Sequence, residues 1–250
     1  MEFVLPANED GLLTLSLNRG KVNALIDPVI EEFNAALNVA ENDPEIRAVI
    51  LSGTAKFFSF GFDIPEFLGY SKESFKKYLE AFSDLCLRLF LFPKPVIAAL
   101  NGHTMAGGCM IAISCDHRVM VESDAKISLN EITFGSSVFA GSVAILKEVV
   151  GPRYARDILF SGKMYSPPEA LQVGLVDEIV PKEFLMERAR ETAQMMGAKD
   201  LRAFASIKRL LHGPIAEHIA IAENASLDEF IDIWYSEKTW KNLQGITINK

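Results

Sequence analysis

The segment from Pro95 to Cys115, PVIAALNGHTMAGGCMIAISC, contains no formally charged residue and constrains the fold more than any other part of the sequence. An apolar segment of this length either crosses a membrane or lies in the centre of a core. Turn-forming residues interrupt it at Asn101–His103 and again at Gly107 and Gly108, which argues against a membrane helix. The sequence therefore predicts a buried strand, a turn and a short buried helix, and we expect no membrane association.

Other apolar runs along the chain predict further strands. Leu12–Leu17 and Ala48–Gly53 are short and apolar, and a helix predicted from about Asp27 to Glu41 separates them. The order strand, helix, strand predicts a right-handed crossover in a largely parallel sheet. His117–Val121 and Lys126–Leu129 are the next strand candidates. The first half of the chain thus has the pattern of an α/β protein.

A long amphipathic helix is predicted from about Ser71 to Leu91. Its apolar residues recur every three or four positions and therefore face one side of the helix. They are Phe75, Leu79, Phe82, Leu85, Leu89 and Phe92. We interpret this apolar face as part of the core.

The pattern becomes mainly helical after Gly141, with one further short strand at about Leu175–Val180. Three helical stretches follow that strand. They are Lys182–Met196, Lys199–Leu211 and Ile215–Leu243. The sequence therefore predicts an α/β core domain over residues 1–195 and a C-terminal helical segment over residues 196–250.

The composition excludes some classes of function. The chain has 25 basic and 33 acidic residues, a net charge of −8, and so lacks the basic surface that nucleic-acid binding requires. Three cysteines, Cys86, Cys109 and Cys115, form neither a disulfide framework nor a metal-ligand pattern, and free buried thiols are typical of a reducing compartment. Because the N-terminus also lacks a signal-peptide pattern, we expect a cytoplasmic protein.

Glu131 is the only charged residue between Ile127 and Leu146. Burial of an unpaired carboxylate costs several kcal/mol and raises its pKa. Two interpretations remain open: a structural carboxylate paired with a cation such as Arg118, or a functional acid or base.

Two glycine-containing loops add to this picture. Gly61 lies in FGFDI, where the tight turn allows the next backbone N–H to project, and Gly107 opens a predicted helix whose first N–H groups lack partners. Two such donors aimed at one point form an oxyanion hole. Alternatively, Gly107 and Gly108 only allow close packing of helix and strand, Gly61 only serves the turn, and Asp63 only caps the next segment.

Four motifs between Leu15 and about Pro181 resemble those of the enoyl-CoA hydratase/isomerase family, often called the crotonase superfamily. The motifs, in chain order, are LNRGKVNAL, FFSFGFDIPEF, PVIAALNGHTMAGGCMIAISCD and SPPEALQVGLVDEIVP. The resemblance implies a crotonase-like α/β fold, a spiral of strand–strand–helix (ββα) units with a C-terminal helical segment. It also implies that this segment covers the active site and joins the chains of a homotrimer or a dimer of trimers.

The resemblance further implies that the ligand is an acyl-CoA thioester. Because the sequence contains no metal-ligand cluster and no dinucleotide fingerprint, we expect no metal and no redox cofactor. The backbone N–H groups of Phe62 and Gly107 match the family's oxyanion hole for the thioester carbonyl. The residues that match positions near coenzyme A are Lys21, Val22, Asp63, Ile64 and Gly108.

Hydratases of this family use two glutamates, and Met110 occupies the position of the first. Glu131 matches the second, and the triplet LNE is similar to that of single-glutamate delta-3,delta-2-enoyl-CoA isomerases. Such an enzyme moves a double bond from the β,γ to the α,β position, and one carboxylate both removes and returns the proton. Phe139 stands where dienoyl-CoA isomerases carry a second acid, so that activity is not expected.

Two departures from the family pattern affect the expected site. Phe60 replaces a small residue before Gly61, and Pro65 replaces a lysine found near the coenzyme A phosphates of hydratases. Alternatives to isomerisation are another enolate reaction, such as hydration or thioester hydrolysis, and a catalytically silent acyl-CoA-binding protein. His103, beside the glycine run, is interpreted as a turn or packing residue.

Overall fold

The computed structural model describes residues 1–248 as a mixed α/β protein. The strands are β1 Val4–Glu9, β2 Leu12–Leu17, β3 Ala24–Leu25, β4 Ala48–Gly53, β5 Phe57–Ser59, β6 Gly61–Phe62, β7 Val96–Leu100, β8 His103–Met105, β9 His117–Val121, β10 Ile127–Ser128 and β11 Glu178–Val180. The α-helices are α1 Asp27–Asn42, α2 Ile64–Phe67, α3 Lys72–Leu91, α4 Gly107–Ile113, α5 Ala140–Ser161, α6 Pro167–Val173, α7 Leu185–Gly197, α8 Leu201–Trp234 and α9 Glu237–Gln244. Short 3₁₀ helices lie at Glu131–Phe134 and Lys182–Phe184.

The strands form one large and two small sheets. The large sheet has the order β1-β2-β4-β7-β9-β11 and is parallel except for the β1–β2 pair. The small sheets have the orders β10-β8-β5 and β3-β6 and are parallel. The chain repeatedly makes a strand in the large sheet, a strand in a small sheet and then a helix, as in β7, β8 and α4. This order confirms the spiral of ββα units that the resemblance implies.

The buried strands begin and end where the apolar runs predict. Leu12–Leu17, Ala48–Gly53 and His117–Val121 match the predicted bounds, and every residue of Val96–Leu100 is buried. A strand covered on both faces is a continuous apolar run, and this pattern is clear in a sequence. The small-sheet strands have only two or three residues each, too few for a recognisable pattern, and most of them were not predicted.

Helix α3 confirms the predicted amphipathic helix. The hydroxyl of Ser71 accepts a hydrogen bond from the N–H of Ser74 at 3.2 Å and caps the first turn. The predicted apolar residues are all buried, and the rings of Phe75 and Phe82 belong to a cluster of aromatic side chains in the core.

The C-terminal segment differs from the prediction in two respects, because the predicted helix Ile215–Leu243 begins inside α8 and is also interrupted between Trp234 and Glu237, where α9 begins. The sequence predicted two helices separated near Gly213 and Pro214, but α8 continues through both residues and ends at Trp234. A proline inside a helix removes one hydrogen bond, so α8 must be held by packing. The Glu223 carboxylate of α8 accepts from the N–H of Gly141 at 2.7 Å and from the Ser83 hydroxyl, which ties α8 to α5 and α3. Tertiary contacts therefore override the local break.

The proposed boundary at residues 195 and 196 falls in the last turn of α7, which ends at Gly197. The division into a core domain and a C-terminal segment stays a prediction. None of the helices within residues 1–248 combines the length and the hydropathy that a membrane span requires.

Candidate active site

The structure contains a cavity of about 170 Å³, here called the main cavity, between the small sheets and the C-terminal helices. Its walls are almost entirely apolar, and Glu131 is the one ionisable side chain among the residues that line it. The lining residues are Phe60, Phe62, Ile64, Met105, Ala106, Gly107, Met110, Asn130, Glu131, Phe134, Phe230, Trp234 and Ile246. A cavity of this kind, apolar with few polar groups, is typical of a small-molecule site.

Glu131 is the first residue of the 3₁₀ helix that follows β10. Its side chain is 5% exposed, and within residues 1–248 its Oε2 atom has no hydrogen-bond partner. Burial removes water from the carboxylate and raises its pKa to about 8. The backbone fixes the residue, because the Glu131 carbonyl accepts from the N–H of Ser136 at 3.0 Å and Gly135 ends the turn at φ 84°.

The pairing of Glu131 with Arg118 that the sequence left open is not formed. The Arg118 guanidinium binds the Asp177 carboxylate at 2.6 Å and the Cys115 carbonyl at 2.8 Å. Glu131 is therefore not held as a structural ion pair with that arginine, and a functional role accounts better for its burial.

The two loops that carry the predicted oxyanion donors lie in contact beside Glu131. Gly61 has a φ of 95°, and a Cβ atom placed on it would lie 3.0 Å from the Gly107 nitrogen and 2.9 Å from the Met105 carbonyl oxygen. A Cβ on Gly107 would lie 3.0 Å from the Phe62 ring. Gly107 is the first residue of α4, so its N–H has no acceptor within the helix. The backbones of Phe62 and Gly107 are thus adjacent at the wall of the main cavity.

Ala106 has a backbone conformation that L-residues rarely adopt. Its φ of 47° and ψ of −119° lie at the start of α4, and its N–H donates to the Ser128 carbonyl at 2.8 Å. Strain of this kind costs about 1–3 kcal/mol and is concentrated at functional sites. Here it sets the direction in which the chain enters α4 at Gly107.

Gly108 has a packing role in the structure. A Cβ on Gly108 would lie 2.7 Å from both the Cβ and the carbonyl oxygen of Ser59, so helix α4 approaches β5 closely only because this residue is glycine. Gly108 does not line the main cavity. Met110, two residues later, is buried and does line it.

The other residues predicted near coenzyme A have different surroundings. Ile64 lines the main cavity, whereas Lys21 is exposed and Val22 is half-buried, with its carbonyl accepting from the Phe60 N–H at 2.9 Å. Asp63 is fully buried, pairs with the Arg19 guanidinium at 2.7 Å and caps α2. Lys21 and Val22 precede β3, which pairs with β6, so they lie on the chain that supports Gly61 and Phe62. Their contact with coenzyme A stays a prediction.

The sequence analysis did not identify the large apolar residues that form one wall of the main cavity. Phe230 and Trp234 on α8, together with Ile246 and Phe134, form a wall of large apolar side chains. Buried residues on α8 recur at Leu227, Phe230, Ile231 and Trp234, and this helical spacing was the available signal. The wall comes largely from the predicted C-terminal segment of the same chain.

Comparison with known proteins agrees with this geometry. The sequence profile of the enoyl-CoA hydratase/isomerase family matches residues 7–245. The chain belongs to the enoyl-CoA hydratase/isomerase family. The solved structure of human mitochondrial delta3-delta2-enoyl-CoA isomerase superposes with a TM-score of 0.92 and 29% identity, covering 97% of this chain and 96% of that chain.

Relatives in the family include both isomerases and hydratases. Mitochondrial enoyl-CoA delta isomerase 1 of Rattus norvegicus is 36% identical over 184 residues, which cover 73% of this chain and 64% of the rat protein. Mitochondrial enoyl-CoA hydratase of Pongo abelii is 34% identical over 216 residues, which cover 86% of this chain and 73% of that protein. The protein is therefore an enzyme of the enoyl-CoA hydratase/isomerase family, and similarity alone does not choose between the two reactions.

Proposed function

We propose that the protein is an enoyl-CoA isomerase that converts a 3-enoyl-CoA to a 2-enoyl-CoA. The observation that carries the proposal is that Glu131 is the one ionisable side chain lining the main cavity, with the apolar Met110 also in the wall. A reaction in this cavity must work with one carboxylate.

The adjacent backbones of Phe62 and Gly107 supply the first chemical requirement. Their N–H groups would donate hydrogen bonds to the thioester carbonyl oxygen of the substrate and stabilise the enolate that forms when the α proton leaves. Donors placed in advance in a site without water stabilise such a charge more strongly than water does. The apolar walls provide those surroundings.

Glu131 supplies the second requirement. As carboxylate it takes a proton from C2, and as carboxylic acid it returns a proton to C4, so the base is regenerated in each cycle. A pKa of about 8, caused by burial, lies close to neutral pH, where both protonation states are accessible. A carboxylate with an ordinary pKa would be a poorer acid in the second half of the reaction.

Hydration is the second candidate, because a hydratase relative is about as similar as the isomerases. Hydratases of the family use two glutamates, and the Met110 thioether cannot take or give a proton. Thioester hydrolysis and silent acyl-CoA binding are the remaining alternatives. The proposed reaction needs neither a metal nor a redox cofactor, and acyl-CoA is the substrate.

The proposal also includes a homotrimer or a dimer of trimers, as in the family. Large apolar side chains on the C-terminal half are exposed in the single chain, among them Leu210 at 74%, Leu211 at 60% and Ile221 at 85%. Apolar surface of this kind supports association with further copies. Light scattering coupled to size-exclusion chromatography measures the number of chains.

The function is tested by comparing two reactions on matched substrates. We expect isomerisation of 3-hexenoyl-CoA to exceed hydration of 2-hexenoyl-CoA by roughly 10² or more in kcat/KM, because one of two acids is missing. Met110→Leu, which keeps the volume, should leave isomerisation intact, and Met110→Glu should raise the ratio of hydration to isomerisation. Comparable rates for the two reactions in the unsubstituted enzyme would contradict the single-base mechanism.

The pH dependence provides an independent prediction. Because the base must be ionised, and burial raises the pKa of Glu131 to about 8, kcat/KM for isomerisation should rise with pH and level off above about pH 8. Below that pH the value should fall about tenfold per pH unit. A profile that is level from about pH 6 to pH 9 would show that Glu131 is not the group that titrates.

A further inference from the structure

A second cavity lies on the other side of Glu131. This rear cavity has a volume of about 330 Å³ and lies between the 3₁₀ helix Glu131–Phe134 and α5. Its lining residues are Leu129, Glu131, Ile132, Ser136, Ser137, Val138, Val143, Leu159 and Phe160. Among these lining residues Glu131 alone is common to both cavities, so it lies between them.

The rear cavity contains polar atoms that the protein does not satisfy. Within residues 1–248, neither Glu131 Oε2 nor Ser136 Oγ has a hydrogen-bond partner, although Ser136 is only 6% exposed. Leaving a buried donor or acceptor without a partner costs about 1–3 kcal/mol. The cavity has room for several water molecules, each of which needs two to four polar partners. Water that bridges the hydroxyl and the carboxylate satisfies both groups.

The rear cavity also has a route to solvent. Ile132 and Phe160, which line it, are 49% and 75% exposed in the single chain. An acyl chain in the main cavity would therefore not prevent water from reaching Glu131 from behind.

We propose that Ser136 holds water against Glu131 in the rear cavity and that this water exchanges the proton of Glu131 with solvent while the acyl-CoA is bound. The inference rests on the proposed role of Glu131 as the base. After Glu131 has taken a proton from C2, its carboxylic acid either gives that proton to C4 or loses it to the water and receives another in return. No other bond changes. Ser136 acts through Glu131 and is a positioning residue.

The charge surroundings support this assignment. Neither cavity wall carries another charged side chain among the described residues. The Cys109 thiol of α4 lies near enough to interact with Glu131, and burial followed by the Glu131 charge raises its pKa, so it stays neutral. A hydrogen bond that reaches the ionised carboxylate lowers its pKa, so the water held by Ser136 opposes the effect of burial.

The test follows a deuterium label within one turnover. The substrate is 3-hexenoyl-CoA with both C2 hydrogens replaced by deuterium, in ordinary water, and mass spectrometry and NMR at low conversion give the ratio of protium to deuterium delivered to C4. In the unsubstituted enzyme we expect a measurable fraction of the atoms delivered to C4 to be protium from solvent, in place of the deuterium removed from C2. Ser136→Ala should lower that ratio about fivefold, and it should move the inflection of the pH profile to higher pH, because the bridging hydrogen bond is lost.

Three variants keep the test specific. Ser136→Val also fills part of the rear cavity and should lower the ratio at least as far, whereas Ser136→Thr retains the hydroxyl and should preserve it. Ser142→Ala is the matched control, because Ser142 is a buried serine of α5 whose hydroxyl also lacks a partner among the described residues but lines neither cavity. Its ratio should equal that of the unsubstituted enzyme.

The outcomes separate this inference from the proposed function. If the unsubstituted enzyme neither transfers nor exchanges the C2 label, the proposed function fails. If it isomerises but Ser136→Ala and Ser136→Val leave the ratio unchanged, the function stands and the rear-cavity route is wrong. An increased KM of Ser136→Val for 3-decenoyl-CoA, with an unchanged ratio, would show that the rear cavity holds the acyl tail instead.

Discussion

Glu131→Gln is expected to reduce isomerisation by ~10⁴ or more, at or beyond the upper end of the ~10²–10⁴ that a positioned general base contributes. The effect is large because one side chain handles the proton twice, and the amide of glutamine can neither take it from C2 nor return it to C4. Acyl-CoA affinity should change little, because the amide has nearly the same shape. Steady-state kinetics and ligand titration of the same preparation measure both quantities.

The same substitution should increase the free energy of unfolding, and the size of this increase should depend on pH. Burial raises the Glu131 pKa from 4.5 to about 8, so the folded state binds more protons than the unfolded state between these values. The wild-type protein therefore loses stability as pH rises through this window, by up to ~1.4 kcal/mol per pH unit. Glutamine does not titrate. The melting temperature of the variant relative to the wild type should therefore be higher near pH 8 than near pH 5.

Glu183→Gln is the matched control, because Glu183 lies in the other 3₁₀ helix and is exposed. It should leave both the rate and the melting temperature unchanged. A stable Glu131→Gln variant that keeps more than about a tenth of the rate would exclude Glu131 as the base. A lowered melting temperature together with an unchanged rate would point to a structural carboxylate.

The sequence predicted the central strands of the large sheet well because they are buried on both faces, but it did not predict the edge strand Val4–Glu9, whose last five residues are exposed. Ala48–Gly53 and Val96–Leu100 are continuous apolar runs, and such runs can be recognised as buried strands from the local sequence alone. The path of α8 through Pro214 was not predictable, because it depends on Glu223 meeting Ser83 and Gly141, which lie far away in the sequence. Local helix propensity is therefore a weak guide to where a helix ends when tertiary contacts stabilise that helix.

In the candidate site, too, some residues could be predicted from the sequence and some contacts could not. Glu131 could be found from the sequence because a lone charge in an apolar segment is unusual. Gly61 could be found because it lies in a tight turn, and Gly107 because it opens a predicted helix whose first N–H groups lack partners. The sequence alone could not show that the two glycines touch, that Gly108 packs on Ser59, or that a second cavity lies behind Glu131. Each of these depends on distances between segments that the spiral brings together.

The contact between Gly61 and Gly107 leads to the second large effect. Gly61→Ala should reduce kcat for isomerisation by ~10²–10³, the loss typical of one oxyanion donor. The added Cβ would lie 3.0 Å from the Gly107 nitrogen and 2.9 Å from the Met105 carbonyl oxygen, so one of the two loops must move. Moving either loop separates the backbones of Phe62 and Gly107, whose N–H groups must reach one oxygen atom together.

The effect of backbone strain at Gly61 on stability must be distinguished from the effect of displaced oxyanion donors on the rate. Gly61 has a φ of 95°, so alanine there also costs about 1–3 kcal/mol of stability. Gly174→Ala supplies the matched control, because Gly174 has a φ of 80°, the nearest atom would lie 3.7 Å from the new Cβ, and Gly174 does not line the main cavity. It should lower the melting temperature and leave kcat unchanged. If Gly61→Ala behaves in the same way, the paired backbone donors are not the oxyanion hole, and the enolate must be stabilised elsewhere in the main cavity.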